Sequence, residues 1–442
     1  MSTRAPFPRV ARFGSSGIRG LANVDVTPDL ALAIGKTLGE LYGTVIVGRD
    51  PRTTGSMLAA SLCAGVLSAG GDATDAGIVS TPTLARGTTE YGCGAVITAS
   101  HNPAPYNGVK LWNPDGMAFD ERQQEEIESA LDSGRFRSAS WDRVGRLLAR
   151  DDLVDQHIDA VRAELGSAKV RVVVDCGCGA TATITPRLLR ELGCEVIAIN
   201  AQLDGRFPGR DPEPAEANLS ALAATVRATG ADLGIAHDGD GDRMVATDRS
   251  GTFVDGDKLL AIFARQEVRR ALVVPVDASM ALDDMFPRAK IWRTRVGDVF
   301  VAQEVKRRDA DFGGEPSGTW IFPRSSLCPD GVYAAARLVA LVATRPLAEL
   351  VREIPTYPAV RGAIPFAPDR RAAIAKSLDA ALRALGGDVS TVDGWRLQFE
   401  DGWALVRFSG TEPKIRLLAE SRDERRAKEI YAAVLSSAQG AA

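Results

Sequence analysis

A glycine-rich segment in the middle of the chain carries three aspartates at alternate positions. The segment 237-HDGDGDR-243 places Asp238, Asp240 and Asp242 directly after the apolar run 232-DLGIA-236. The intervening glycines add no side-chain bulk and allow positive φ, so the three carboxylates can converge on one centre. Converging carboxylates raise one another's pKa unless a cation lies between them, and oxygen ligands select Mg²⁺ or Ca²⁺ over zinc. The pattern indicates a hard-metal site; the alternative is an acidic turn that binds nothing.

An EF-hand calcium loop starts with the same spacing of acidic residues, but the rest of its pattern is absent here. Counted from Asp238, the sixth residue is Arg243 where an EF-hand needs glycine, and the twelfth is Arg249 where it needs glutamate. Three carboxylates that leave coordination positions open are suited to a catalytic Mg²⁺, which can also bind a substrate oxygen. We therefore expect a catalytic metal loop.

Three other segments combine glycine with hydroxyl and charged side chains. In 407-RFSGTEPKIR-416, arginines, a lysine and hydroxyl groups surround a turn, and this is the chemistry that binds a phosphate dianion. The segment 13-FGSSGIRG-20 has a similar composition, and 312-FGGEPSGTW-320 offers Glu315 and Ser317 as partners for sugar hydroxyls. For each segment an ordinary turn or a flexible leader is the alternative.

The segment 98-TASHNP-103 places Ser100 beside His101 after the apolar run 94-GAVIT-98. A serine hydrolase is not expected, because adjacent side chains on a strand or turn point apart and no G-x-S-x-G elbow surrounds the serine. The local chemistry favours a helix cap, since serine or asparagine before proline often begins a helix. The role of the hydroxyl stays open at this point.

A further glycine pattern, 177-GCGATA-182, matches the dinucleotide fingerprint G-x-G-x-x-A. In that fingerprint an acidic residue closes the next strand, whereas here the next apolar run, 194-CEVIAIN-200, ends at Asn200. We interpret these glycines as a tight turn between a strand and a helix.

The elements that position these residues follow a repeated order. Apolar, β-rich runs at 44–50, 170–175 and 272–277 are each followed by a helical stretch and a second apolar run. Alternating strands and helices indicate an α/β fold with mixed, mostly parallel sheets. The C-terminal segment instead predicts the order helix, strand, strand, helix. We expect similar α/β domains at 1–150, 151–253 and 254–360, and a smaller α+β domain at 361–442.

The composition limits the functional class. The 442 residues include 53 Lys+Arg and 57 Asp+Glu, and the resulting net charge of −4 argues against a nucleic-acid coat or a polybasic membrane surface. Six cysteines show neither disulfide nor zinc spacing, and no apolar run approaches the roughly 18 residues that a membrane span needs. We expect a cytoplasmic protein without nucleic-acid or membrane partners.

Taken in chain order, TASHNP, DGDGDR, GGEPSG and RFSGTEP resemble the motifs of the α-D-phosphohexomutase superfamily. The resemblance spans nearly the whole chain. It implies three similar α/β domains and a fourth, smaller domain around a central active-site cleft. It also implies an intramolecular phosphotransferase with a phosphate carried covalently on Ser100, and one Mg²⁺ per chain held by that phosphate with Asp238, Asp240 and Asp242.

The same resemblance implies roles for other residues. Arg19 and Arg243 would face the transferring phosphate. Lys110 would be a general acid or base, and His101 would join the catalytic set beside the nucleophile. The sugar hydroxyls would be bound by Glu315 and Ser317, and the non-reacting phosphate by Arg407, Ser409, Gly410, Thr411 and Arg416.

The identity of the sugar is indicated by Thr319, which follows the SG of the third motif where many mannose- and glucose-type relatives have histidine. Together with 294-TRVGDVF-300 and the form SGTEPKIR, this resembles phosphoglucosamine mutases, particularly the archaeal type. The resemblance implies that glucosamine 6-phosphate and glucosamine 1-phosphate interconvert through a bisphosphorylated sugar. Phosphomannomutase or phosphoglucomutase activity is the alternative. The sequence does not fix the oligomeric state, and a homodimer is compatible with it.

Overall fold

The computed structural model describes residues 12–14, 16–409 and 413–441. The chain separates into two compact units, Met1–Leu259 with Ser317–Val351 and Leu260–Pro316 with Arg352–Ala442. Within the described residues, no helix is both long enough and apolar enough to cross a membrane.

The N-terminal segment folds into a mixed sheet with buried central strands. Its elements are β1 (Phe13–Gly14), β2 (Gly17–Leu21), α1 (Pro28–Tyr42), β3 (Thr44–Arg49), α2 (Gly55–Ser68), β4 (Asp72–Ile78), α3 (Thr81–Gly87), β5 (Cys93–Ile97), β6 (Tyr106–Trp112), α4 (Glu121–Ser133) and β7 (Leu147–Ala149). The strand order is β1-β2-β6-β5-β3-β4-β7, with β3 parallel to β4 and β5 and β6 antiparallel to β5. Because β3 and β5 are parallel neighbours, the loops that follow Arg49 and Ile97 lie at the same sheet edge.

The next segment forms a second sheet that ends in a hairpin. Its elements are α5 (Leu153–Glu164), β8 (Arg171–Asp175), α6 (Thr185–Glu191), β9 (Glu195–Ile199), α7 (Ser220–Thr229), β10 (Leu233–His237) and β11 (Met244–Asp248). The strand order is β11-β10-β8-β9, with β8 parallel to β9 and β10. Strands β10 and β11 are antiparallel, and their last pair joins His237 to Met244. The connection of this hairpin is therefore the predicted metal loop.

The third segment contains α8 (Gly256–Glu267), β12 (Ala271–Pro275), α9 (Ala281–Met285), β13 (Lys290–Thr294), α10 (Asp298–Arg308) and β14 (Phe312–Glu315). Strand β12 lies between β13 and β14 and is parallel to both. The chain then forms β15 (Thr319–Ile321), α11 (Gly331–Val342) and α12 (Leu347–Arg352). Strand β15 belongs to the first unit, where Thr319 forms a β-bridge with Arg243.

The C-terminal segment is a smaller antiparallel α+β module. Its elements are β16 (Ala359–Pro365), α13 (Arg371–Arg383), β17 (Asp388–Ser390), β18 (Trp395–Gln398), β19 (Gly402–Phe408), β20 (Lys414–Ser421) and α14 (Glu424–Ala441). The strand order is β16-β20-β19-β18-β17. Leu378 of α13 and Val434 of α14 share one apolar core with Leu397 and Val406 of the sheet.

The predicted fold class, mixed α/β sheets followed by a smaller α+β module, is confirmed. The predicted order of the C-terminal segment, helix, strand, strand, helix, was incomplete, because the structure adds β16 before the first helix and β17 and β20 on either side of the two predicted strands. An edge strand tolerates proline, which cannot donate to a ladder, and β16 is an edge strand that ends at Pro365.

Candidate active site

The loop that follows β5 presents Ser100 in an unusual backbone conformation. Ser100 is buried and has a φ of 52°, in the left-handed region that non-glycine residues seldom adopt. Its amide donates to the Thr98 hydroxyl oxygen at 2.8 Å, and its own Oγ donates to Asp238 Oδ2 at 2.7 Å. The strained loop thus holds the serine hydroxyl against the metal loop, which comes from a different sheet.

Two expectations about this loop are wrong. The segment leads into strand β6 and begins no helix, so Ser100 is not a helix cap. Ser100 and His101 do not point apart either, because Ser100 Oγ lies 3.2 Å from Nδ1 of His101. The positive φ of Ser100 explains the contact, since it turns the backbone out of the strand geometry that separates neighbouring side chains.

The metal loop gathers its three aspartates in a buried cluster. Asp238, Asp240 and Asp242 each offer one carboxylate oxygen, and these atoms lie within 4.8 Å of one another. Gly239 permits the approach of the two loops, because a Cβ atom there would lie 2.6 Å from the carbonyl oxygen of Ser100. The turn that resembled a dinucleotide fingerprint packs on the same loop: the Ala180 amide donates to the Gly239 carbonyl at 2.9 Å.

Lys110 of β6 supplies a cation to this cluster. Its buried Nζ lies 2.8 Å from Asp240 Oδ2 and 2.6 Å from Asp242 Oδ2. Burial would raise the pKa of Asp240, but Lys110 and a hydrogen bond from the Thr81 hydroxyl lower it below its ordinary value. Burial, with the charges of Asp242 and Asp240, raises the pKa of Asp238 well above its ordinary value. One lysine therefore does not offset the negative charge of the loop.

The cluster has the donors that a divalent cation needs. The Oδ1 atoms of Asp240 and Asp242 are both buried, and neither has a hydrogen-bond partner among the described residues. Buried polar atoms are rarely left without a partner, and carboxylate oxygens are preferred ligands of hard cations. This aspartate triad can therefore hold a metal ion.

Three other predicted residues surround the serine. Arg19 donates to Asn102 Oδ1 at 3.2 Å, and Arg243 pairs with Glu213 at 3.0 Å. Glu213 Oε2 also lies 3.5 Å from Nε2 of His101. Burial, followed by the positive charges of Arg243, Arg19 and Lys110, lowers the pKa of His101 to about 2, so its ring is neutral. The sequence did not single out Glu213.

A buried ion pair that sequence reasoning missed fixes the serine loop. Arg52 Nε donates to Asp50 Oδ2 at 3.0 Å, and both side chains are fully buried. The rest of the guanidinium donates to four carbonyl oxygens of the loop, at distances of 2.6–2.9 Å: those of Ser100, Asn102, Pro103 and Tyr106. The available signal was the position of 49-RDPR-52 directly after β3, the strand next to β5.

Several predicted substrate residues belong to the second unit. Glu315 ends β14, and its Oε1 accepts a hydrogen bond from the Gly297 amide at 2.7 Å. Arg407 of β19 and Arg416 of β20 are directly paired across the two strands, so their side chains share one face. The Ser409 amide donates to the Lys414 carbonyl at 2.8 Å. Gly410 and Thr411 lie outside the described residues.

Ser317 belongs to the first unit, and its hydroxyl lies 3.4 Å from that of Thr319. The structure therefore brings together Ser100, Lys110 and the three aspartates in the first unit. Arg407, Arg416 and Glu315 belong to the second unit.

Comparison with known families decides the assignment. Models of the phosphoglucomutase/phosphomannomutase α/β/α domains I, II and III match residues 10–138, 152–251 and 255–357, and that of the C-terminal domain matches residues 367–437. The chain belongs to this family. The predicted superfamily resemblance and the prediction of an isomerase that transfers phosphoryl groups are thereby confirmed.

Individual members of the phosphoglucomutase/phosphomannomutase family resemble the chain along nearly its whole length. A protein of Methanosarcina acetivorans named "probable phosphoglucosamine mutase" is 52% identical over 95% of this chain and 96% of its own. One of Methanococcoides burtonii with the same name is 51% identical over 93% of this chain and 95% of its own. A crystal structure of a family member from Burkholderia thailandensis covers 98% of this chain and 97% of its own, with 27% identity and a TM-score of 0.88.

Proposed function

We propose that the protein is a phosphoglucosamine mutase that interconverts glucosamine 6-phosphate and glucosamine 1-phosphate. Relatives of that name, identical at about half of their aligned positions, support the choice of sugar. The observation that supports this chemistry is the 2.7 Å contact between Ser100 Oγ and Asp238, because it joins a serine hydroxyl to a carboxylate of the cluster that could hold a metal ion.

The reaction consists of two phosphoryl transfers. In the first, the P–O bond to Ser100 Oγ breaks and a new P–O bond forms to the sugar 1-hydroxyl, which loses its proton. The bisphosphorylated sugar then turns over in the site. In the second, the 6-phosphate returns to Ser100 and leaves a hydroxyl at carbon 6. The enzyme ends each cycle phosphorylated, so the number of phosphoryl groups is conserved.

Mg²⁺ suits the aspartate loop, and Asp238, Asp240 and Asp242 would hold it. Their donors are all carboxylate oxygens, and two of these oxygens have no hydrogen-bond partner among the described residues. When bound, Mg²⁺ supplies positive charge that offsets the repulsion between phosphoserine and an incoming sugar phosphate.

Four side chains around Ser100 would stabilise the negative charge of the transferring phosphoryl group and take part in proton transfer. Lys110 enters the cluster as an ammonium group, so it can give a proton to Ser100 Oγ when the P–O bond breaks. Arg19 and Arg243 provide guanidinium groups for the phosphoryl oxygens, for which their fork geometry is well suited. His101 stays neutral and can accept or donate a hydrogen bond at the serine oxygen.

The second unit would hold the part of the sugar that does not react. Arg407 and Arg416 form a pair of guanidinium groups on one face, and such a pair suits a phosphate dianion. Ser409, Gly410 and Thr411 would add hydroxyl and amide donors, while Glu315 and Ser317 would bind sugar hydroxyls. We also propose domain boundaries near residues 150, 253 and 360. Six buried cysteines, none of which forms a disulfide, favour a reducing compartment.

Coupled assays with a panel of sugar phosphates test this function. We expect turnover of glucosamine 6-phosphate to exceed that of glucose 6-phosphate and mannose 6-phosphate, and intact-mass spectrometry to detect one phosphate on Ser100. A glucosamine rate far below the glucose or mannose rate would exclude the proposed substrate. Release of inorganic phosphate without isomer formation would indicate a phosphatase.

A further inference from the structure

A carboxylate in the second unit has no function in the reaction as described so far. Asp277 follows β12, the strand that lies between β13 and β14. Because the three strands are parallel, their carboxyl ends share one sheet edge, and Glu315 stands at the end of β14 on that edge. Open α/β sheets bind ligands outside the carboxyl ends of their strands. Asp277 therefore stands where a ligand is expected.

The Asp277 carboxylate is incompletely satisfied. The side chain is partly buried, and its Oδ1 atom is buried without a hydrogen-bond partner among the described residues. Burial raises the pKa of Asp277, while the nearby charge of Arg407 opposes that shift. A buried carboxylate oxygen without a donor is costly, so such an atom in a folded protein calls for a partner.

The arginine near Asp277 is already engaged by another acid. Arg407 Nη1 lies 2.9 Å from Asp393 Oδ2, and the same oxygen accepts a hydrogen bond from the Val296 amide at 3.1 Å. Asp277 is in no ion pair within the described part of the chain, although Arg407 and Arg361 contribute to its electrostatic environment. The protein thus leaves Asp277 without a direct cationic partner.

The backbone on both sides of Asp277 is fixed. The Val276 amide donates to Thr294, and its carbonyl accepts from Arg396 Nε, each at 3.0 Å. Glu420 accepts from the Ser279 hydroxyl and from the Met280 amide, each at 2.7 Å. The backbone that carries Asp277 is therefore held in place on both sides, as the support of a preorganised binding group should be.

The combination of charges indicates the chemistry of the ligand. Arg407, whose charge acts on Asp277, and its cross-strand partner Arg416 suit a phosphate, but an anionic Asp277 near Arg407 repels one. A ligand that carries both a phosphate and a cationic group resolves this conflict, and an amino sugar phosphate is such a ligand. A carboxylate also forms a stronger, charge-assisted hydrogen bond with an ammonium group than with a neutral hydroxyl.

We propose that Asp277 binds the 2-amino group of the sugar in one of its two orientations, and so selects glucosamine phosphates over glucose phosphates. This inference rests on the proposed function, because it assumes that an amino sugar is the substrate. Glu315, at the end of the neighbouring parallel strand, would contact hydroxyls that both sugars share. Asp277 therefore sets selectivity, whereas Glu315 sets affinity for either sugar.

The test compares two sugars in two variants. Asp277→Asn keeps the side-chain shape and removes the charge, and Asp277→Ser is a smaller uncharged replacement in case the amide disturbs folding. The control is Asp309→Asn, which removes an exposed carboxylate that precedes β14 and so lies at the opposite sheet edge. For each protein, kcat/KM is measured with glucosamine 6-phosphate and glucose 6-phosphate, and the two dissociation constants are measured by calorimetry.

We expect Asp277→Asn to lower kcat/KM for glucosamine 6-phosphate at least about tenfold more than for glucose 6-phosphate, as loss of one charge-assisted contact predicts. Asp309→Asn should leave the ratio of the two values unchanged. A wild-type ratio retained in both Asp277 variants, or an equal loss for both sugars, overturns the role of Asp277 alone. A wild-type enzyme that does not convert glucosamine 6-phosphate overturns the proposed function and this inference with it.

Discussion

Replacement of Arg52 by methionine tests whether the Asp50–Arg52 pair holds the nucleophile in place. The substitution keeps an unbranched side chain but removes five hydrogen bonds: one to Asp50 and four to the carbonyls of the Ser100 loop. Asp50 would keep only the Thr98 hydroxyl and the backbone amide of residue 52 as donors.

The expected loss of stability follows from the burial of the pair. Both side chains are fully buried, and breaking a buried ion pair by removal of one partner costs about 3 to 5 kcal/mol. The effect on turnover is separate, because a displacement of about 1 Å at a reacting group can lower the rate about 100-fold. Arg52→Lys keeps the charge beside Asp50 but cannot reach four carbonyls, so we expect a smaller loss of stability and a similar loss of turnover.

The deficit of the methionine variant should depend on pH. Burial already raises the pKa of Asp50 to about 6, and loss of the guanidinium raises it further. The folded variant then binds the proton more tightly than the unfolded chain, whose aspartate pKa is about 3.9. Stability is therefore retained at low pH and lost as the pH rises through the folded-state pKa. We expect a smaller loss of stability relative to wild type near pH 5, where the loss of the four carbonyl contacts remains, and the full loss at pH 8, where Asp50 is also ionised.

Thermal melting at several pH values and steady-state turnover measure these effects. The control is Arg146→Met, which removes an ion pair with Asp72 in which the arginine side chain is 75% exposed, and which should cost less than about 1 kcal/mol. An Arg52→Met protein that melts and turns over like wild type at pH 8 would show that the pair does not hold the loop.

Three further outcomes are expected at the reacting centre. Ser100→Ala should abolish turnover, while calorimetry still detects sugar-phosphate binding. Ser140 is exposed, so Ser140→Ala is the control and should behave as wild type. Near-normal turnover in Ser100→Ala would refute the mechanism. Chelation should abolish turnover, and added Mg²⁺ should restore it. At 100 times its Kd, Mg²⁺ should increase the free energy of unfolding by about 2.7 kcal/mol. Asp240→Asn should weaken Mg²⁺ binding at least about 100-fold by calorimetry. Lys110→Met removes the internal cation of the aspartate loop, so its melting temperature should fall with a chelator present and recover with Mg²⁺; equal melting in both conditions would contradict this role.

The sequence was informative where chemistry is concentrated in short segments. Asp238, Asp240 and Asp242 lie within five residues, so their convergence could be inferred from spacing and glycine content alone. Ser100 could be named only through the family motif, because its local pattern suggested a helix cap that the structure does not contain. That pattern carries no information about strand β6, which begins six residues after Ser100.

The residues that sequence reasoning missed act through pairings between distant segments. Arg52 contacts the Ser100 loop because β3 and β5 are parallel neighbours, and Glu213 reaches His101 across more than a hundred residues. Sequence reasoning missed Asp277 for the same reason, since its place at the same sheet edge as Glu315 depends on the pairing of β12 with β14. No periodicity or spacing encodes these pairings.

The left-handed backbone of Ser100 restricts how this position can change during evolution. Threonine would offer an equivalent hydroxyl, but its β-branched side chain is strongly disfavoured at positive φ. Glycine and asparagine adopt this conformation readily, yet neither has a hydroxyl to phosphorylate. Single conservative replacements of Ser100 are therefore disfavoured, because threonine strains the loop and glycine or asparagine removes the proposed phosphate carrier.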